Sequence, residues 1–591
     1  MRTSRKVCLG LLLAATALPV IAQDRPESIL PPGFGDPQPA ASATPTPRPT
    51  ASGTTAGSVA PDRPPPIAVP TPTPTPTQSA TPAAIDPATL AFYELPPFAR
   101  HDLARLGPLA ASDGGLAGDI WGRADGQFVE TLMRRLSAPL PSRWLSILLR
   151  RTLLSQADTP RRTTGADFAA ERAWLLLRMG EAVAARAVVQ DVDSADATPK
   201  LYQVAINAML ANGDPAGLCP LAAAAVPATG ERGWVVAQAM CAALGGEPRR
   251  AAALVKEARR RRTAGGIDLL LAQKVVGVGA GGQSAVTIEW AGVDALTAWR
   301  YGLATATGVA IPDELMATVG PQVRLWQALS PAVVGVARTK AAEAAAAQGV
   351  LSGAALVDFY AALAEDDEVD QAIGALAGDL RTAYADRSAD TRVAAIKRLW
   401  GTTGAVPYAR LTLTARAAAR LPMREGEAEA DRLIASMLTA GLDRAALRWR
   451  GAVPRGGDAW AMLSLADPDA RGLVPYGELS DYSGSGDAAR KQRLFFAGLA
   501  GLGRLSAADI ERAAAALDVR IGATNSWTAA LDRAAAAGQA GTVVLLCATA
   551  MQTLDWRGVP PAALYRIVGA LRAVGLEGEA RMIAAEAIAR S

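Results

Sequence analysis

The sequence predicts an all-α fold, an α-solenoid of antiparallel helical hairpins preceded by a disordered Pro/Thr/Ala-rich segment. Three observations carry this expectation. From about Thr89 to Ser591 apolar residues recur at three- and four-residue spacing, with Ala and Leu dominant. Gly, Pro or Asp interrupts that pattern every 12–18 residues, and no heptad persists, so the helices suit hairpins rather than one long coiled coil. Residues 23–90 are of a different composition, with 18 prolines among 68 residues.

The first 22 residues have the three parts of a secretory signal. Arg2, Arg5 and Lys6 form a basic region, Val7 to Val20 is apolar, and Val20-Ile21-Ala22 offers a cleavage site before Gln23. The apolar run of about 14 residues is shorter than the roughly 20 that a membrane span needs. The expected product is therefore periplasmic or secreted, without stable membrane insertion after signal cleavage. Its charge is close to balanced. The chain has 60 Lys+Arg and 56 Asp+Glu, and losing three basic residues with the signal leaves 57 against 56. Such a body has no electrostatic footprint for nucleic acid. A single His and four Cys exclude a zinc ribbon or a haem-attachment motif, and no cofactor or metal is expected.

Residues 23–90 read as a tether. The run Pro70-Thr71-Pro72-Thr73-Pro74-Thr75-Pro76-Thr77 and the sparse charges cannot bury enough apolar surface to offset ordering entropy. Within it, Ile29, Leu30 and Phe34 cluster around Pro31-Pro32-Gly33, and are either a chance apolar group or a short motif for contacting a partner.

The segment 91–591 reads as the helical array, and a repeat is clearest over 165–262. Gly180-Glu181, Gly213-Asp214 and Gly246-Glu247 are spaced by 33 residues. Phe168, Leu201 and Trp234 each stand twelve residues before a Gly, and Val188, Leu221 and Leu254 eight after it. The pattern is a helix, a tight turn at Gly, then a second helix capped by the acid. Ala185, Leu218 and Ala251 share one position in the second helix. These registers resemble the tetratricopeptide-like repeats, whose helix pairs cross at small residues. Leu218 is larger than that pattern prefers, the period is one residue short, and the family's Pro at the repeat end is missing. The resemblance implies a surface for peptides or proteins. Fainter echoes lie at Gly538, Gly575 and Gly426-Glu427. In an open array of this kind, the terminal hairpins should be the most polar and the first to fray.

Other signals read more plainly. Ala285 to Ile288 is the best strand candidate. Gly277, Gly279 and Gly282 match a dinucleotide-type spacing, but a helix precedes them where that chemistry needs a strand, so a loop is the better reading. The acidic run Glu365 to Asp370 lacks the ligand spacing of a calcium loop. Arg259-Arg260-Arg261-Arg262 falls where a helix should end and its dipole favours cations; contact with anionic lipid or wall polymer is the alternative. His101 has no nucleophile in a recognisable context nearby. The twelve Trp residues read as core anchors. The stretch Asp467 to Asp487, with Tyr476 and Tyr482, is the longest break in the helical pattern and the leading candidate for partner contact.

After signal cleavage Cys219, Cys241 and Cys547 remain. Cys219 and Cys241 fall at similar heights on adjoining antiparallel helices, and form either a disulfide or two buried thiols; Cys547 lies in an apolar run. The function expected is an exported envelope scaffold that binds a protein or peptide partner, with no catalytic residues. The alternative is a cell-wall factor or enzyme, because lytic transglycosylases carry similar Ala-rich superhelical domains. An antifreeze-type label would reflect composition only.

Overall fold

The computed structural model describes residues 96–282, 286–365, 371–401 and 406–591. The expected signal and tether, with Ile29, Leu30 and Phe34, lie outside the described residues, as does the acidic run from Asp366 onward. Asp102–Ser591 belong to one compact unit; His101 and the short 3-10 helix Pro97–Ala99 belong to a second.

Among the described residues the chain is mostly helical, with 27 α-helices. Its one two-stranded sheet pairs β1 (Arg105–Leu106) with β2 (Ala157–Asp158), antiparallel, Arg105 opposite Asp158. The strand candidate is not a strand: Val286, Thr287 and Ile288 have no regular structure, and Ala285 is not described.

The repeat region folds as three helical hairpins. They are α3 (Gly165–Arg178) with α4 (Ala182–Gln190), α5 (Pro199–Ala211) with α6 (Cys219–Thr229), and α7 (Arg232–Leu244) with α8 (Pro248–Arg260). Gly180, Gly213 and Gly246 are left-handed, with φ of 83°, 58° and 79°. Each closes its first helix in the same way. The N–H three residues past the helix donates back over the last turn, from Glu181 to Leu176, Asp214 to Met209, and Glu247 to Ala242. The bulky anchors Phe168, Leu201 and Trp234 are buried, as are Ala185, Leu218 and Ala251. The expected acid caps are not general. Only Asp214 receives a backbone N–H near its helix start, from Gly217; Glu181 turns instead to Arg150, and Glu247 to Arg250. The middle hairpin departs for a local reason. Pro220 removes a donor, so a 3-10 turn, Ala216–Leu218, precedes α6.

The chain does not continue as neighbour-on-neighbour hairpins alone. Helices α9 (Gly266–Gly279) and α10 (Ala298–Ala306) turn back, and α10 packs on α5. Then come α11 (Asp313–Met316), α12 (Pro321–Leu329), α13 (Thr339–Gln348), α14 (Gly353–Leu363), α15 (Gln371–Ala385), α16 (Ala389–Trp400), α17 (Tyr408–Ala419) and α18 (Ala430–Thr439). The C-terminal part runs through α19 (Asp443–Leu447), α20 (Asp458–Ala466), α21 (Tyr476–Ser480), α22 (Ala488–Gly501), α23 (Ala507–Ala516), α24 (Ser526–Ala536), α25 (Ala540–Ala550), α26 (Pro561–Ala573) and α27 (Glu577–Arg590).

Two early helices, α1 (Gly126–Arg135) and α2 (Arg143–Leu154), organise this succession. The late helix α25 packs on both, and α27 packs on α2. Arg143, buried at the start of α2, sends its guanidinium to the carbonyls of Thr439 and Ala346, the ends of α18 and α13. Burial lowers its pKa from the ordinary arginine value. Arg172 plays the same part on α3, donating to Leu153, Leu106 and Ser155 carbonyls. The expectation of polar, fraying ends therefore fails at the C-terminus. Met582, Ile583, Ala584, Ala585, Ala587 and Ile588 of the last helix are all buried. Eight of the twelve Trp residues are buried and four half-buried, in keeping with core anchors.

Candidate functional site

A groove of about 950 Å³ lies between α10 and α13. Its sequence explains its shape. Gly308, left-handed, ends α10, and Val309 N–H returns to the Ala304 carbonyl at 2.9 Å. Pro312 then precedes the short helix α11, and Pro321 opens α12 at a position where proline costs no hydrogen bond. Ser330-Pro331 stops α12. The turn that follows, closed by Val333 N–H to the Ser330 carbonyl, carries Val333-Val334-Gly335-Val336 into α13. Arg338 fixes the far end of this loop, donating to the Ala328 carbonyl and stacking 5.3 Å above the Phe359 ring.

The groove wall is mainly aliphatic: Val309, Ile311, Met316, Val333, Val334 and Val336. Val334 is 73% exposed and Val336 42%, so the fold leaves them unburied. Arg324 and Lys340 stand at the rim with Asp313, and neither cation has a carboxylate within ion-pair distance among the described residues. The sequence reading missed this site. The signal available was a run of three valines after Ser-Pro, in a region with neither helical period nor repeat.

The candidate loop from Asp467 to Asp487 is pinned at Leu479 and Tyr482 and exposed over much of its length, Leu473 included. It contains the one-turn helix α21, and Tyr476 is half-buried with Arg512 5.3 Å above its ring. Tyr482 is buried, which corrects its reading as a contact residue. Its hydroxyl donates to Asp458, whose carboxylate also accepts Ser485 Oγ at 2.6 Å and Lys491 Nζ at 2.8 Å. Burial works to raise the Asp458 pKa, but Lys491, Ser485 and Tyr482 together hold it below the ordinary value. Burial and the adjacent carboxylate push the Tyr482 phenol up. With its lysine paired to a carboxylate, the cluster pins loop to helix and provides no free base for Ser485.

Cys219 and Cys241 are joined in a disulfide between α6 and α7, and Cys547 is a buried free thiol. Gly277 and Gly279 lie in α9, so the dinucleotide-type spacing has a helix before it and not a strand. Arg259 and Arg260 form the last turn of α8, as expected from the helix dipole. No group of three His, Cys, Asp or Glu among the described residues could hold a metal ion. No described helix is long and apolar enough to cross a membrane, and the disulfide is consistent with an extracytoplasmic protein. No protein-family model, curated protein or solved structure matches this chain.

Proposed function

We propose that the chain is an exported scaffold, periplasmic or secreted, whose tetratricopeptide-like hairpins support a groove that binds an extended segment of an envelope protein. The observation that carries this reading is the pair Val334 and Val336, held out of the core on an anchored loop beside Val309, Ile311 and Met316. Arg324 and Lys340 favour a segment that presents an acidic group or a terminal carboxylate next to apolar side chains. The shared registers at Gly180, Gly213 and Gly246 support the repeat assignment.

Photo-crosslinking tests it. A photoreactive residue at Val334 or Val336 should give one discrete adduct in cells, and Arg324→Glu with Lys340→Glu should abolish it. The same residue at exposed Asp532 should give none. Equal labelling at all three positions would sink the groove. Clearing of a peptidoglycan zymogram by the purified protein would put the enzyme alternative in its place.

A further inference from the structure

We propose that the third hairpin is a docking surface for an anionic lipid bilayer. Helix α8 and the turn after it carry Arg249, Arg250, Lys256, Arg259, Arg260, Arg261 and Arg262, all exposed. The nearby carboxylates are already used: Glu247 pairs with Arg250 at 3.0 Å, and Glu257 with Arg260 at 2.5 Å and with Arg261. Arg249, Lys256, Arg259 and Arg262, with Arg232 at the start of α7, have no carboxylate within ion-pair distance among the described residues. The helix dipole accounts for basic residues at the C-terminal end alone. Arg249 and Arg250 lie in the first turn, where that dipole disfavours them; Glu247 offsets Arg250, and Arg249 is left with its charge uncompensated.

Aliphatic residues at one end of this surface identify the partner. Leu244 at the end of α7 is 39% exposed, and Val278 near the end of α9 is 63% exposed. These helix ends meet: a Cβ at Gly279 would stand 2.9 Å from the Ala243 carbonyl carbon and the Leu244 nitrogen. Arg249 follows Leu244 by five residues. One end of the α7–α8–α9 layer therefore presents two aliphatic side chains beside two arginines. At the other end Arg259 and Arg262 line a cleft of about 380 Å³ with Gly265, Gly266 and Gln273, room for a phosphate group. Basic side chains for lipid phosphates and aliphatic ones for the boundary below them are what a bilayer interface selects. Free phosphate or an anionic wall polymer would use the arginines and leave Leu244 and Val278 without a role. This surface is independent of the groove.

Vesicle sedimentation tests it, with the chain from residue 23 onward so that the apolar stretch 7–20 does not contribute. The protein should pellet with vesicles of phosphatidylcholine and phosphatidylglycerol, not with phosphatidylcholine alone, and added salt should release it. The variant R249Q/R250Q/R259Q/R262Q should bind roughly a hundred- to a thousandfold more weakly with an unchanged circular dichroism spectrum. The matching lysine variant should bind as the parent does. L244S/V278S should also weaken binding. Equal binding to neutral vesicles, or parent-like binding by the glutamine variant, would overturn the proposal. So would thermal protection by inorganic phosphate, or retention on purified wall polymer, without vesicle binding.

Discussion

Glu586, five residues from the C-terminus, accepts a hydrogen bond from Ser142 Oγ at 2.6 Å across 444 residues of chain. The same carboxylate takes the N–H of Arg143 at 2.9 Å and of Trp144 at 3.3 Å, and Arg590 pairs with it at 2.9 Å. It thus caps α2 from the last helix of the protein, where the positive end of the helix dipole favours a carboxylate. The group is 3% exposed. Its charge also lies beside Tyr408, whose buried phenol is pushed up in pKa.

Glu586→Ala should destabilise the protein by about 3 kcal/mol, because it strands the Ser142 hydroxyl and two backbone donors in a buried site, while Arg590 keeps the Pro141 carbonyl and the Tyr408 ring. Removal of α27 entirely should unfold the unit instead of shortening it, since α2, α20 and α22 would lose their cover. Thermal melts of the two variants check both outcomes. A truncation that kept the parent's melting temperature would mean that the C-terminal end is dispensable.

The disulfide should be a local staple. It closes a 22-residue separation between α6 and α7, for which loop-closure reasoning gives about 3 kcal/mol. Cys219→Ser with Cys241→Ser should lower the melting temperature while circular dichroism at 25 °C (about room temperature) stays helical. Without reductant, the oxidised chain from residue 23 should yield one thiol when denatured and none when native. That thiol is Cys547, whose burial raises its pKa and keeps it from reacting. Three thiols in the denatured protein would exclude the bridge.

The parts of this fold that were legible are the ones built from adjacent residues. The Gly180, Gly213 and Gly246 turns need only a left-handed residue and its neighbours, so their spacing carries the hairpins. Ser142 and Glu586 are each an ordinary cap or helix residue in their own stretch, and nothing local says that they meet. Tyr482 shows the reverse error. In a Ser/Gly-rich loop it looks exposed, and only Asp458, 24 residues away, makes it a buried donor. The groove was illegible because Val334 and Val336 break the helical period that guided the reading.

Two of the repeat glycines, Gly246 and Gly180, should differ in tolerance. A Cβ at Gly246 would meet nothing within 4 Å, so Gly246→Ala incurs only left-handed strain, about 1 kcal/mol. At Gly180 a Cβ would stand 2.5 Å from Leu325 Cβ on α12, so Gly180→Ala adds a clash with a buried helix. It should cost two to four times as much, roughly 2–4 kcal/mol. Urea midpoints rank them. Equal losses would mean that α12 does not press on the first hairpin.

Glu181 makes stability fall as pH rises through the neutral range. Burial pushes its pKa up from 4.5 to about 7, against the pull of Arg150 at 2.7 Å and of Arg143. Because the folded value exceeds the unfolded one, the folded state holds the proton longer. The associated stability is complete below about pH 4.5 and is lost as pH rises through about 7, at most about 3 kcal/mol. Asp458 has the opposite sign: its depressed pKa adds stability above the ordinary value of 3.8 that is lost only in stronger acid, outside this window. Glutamine at 181 mimics the protonated carboxyl. Glu181→Gln should therefore match the parent near pH 4.5 and be increasingly more stable than it towards pH 8, and subtracting the two curves cancels every group that titrates alike in both. Chemical denaturation at several pH values measures the difference. A difference that stayed flat from pH 4.5 to 8, or in which the parent gained on the variant as pH rose, would show that Arg150 keeps Glu181 charged in the folded protein and that burial does not govern its titration.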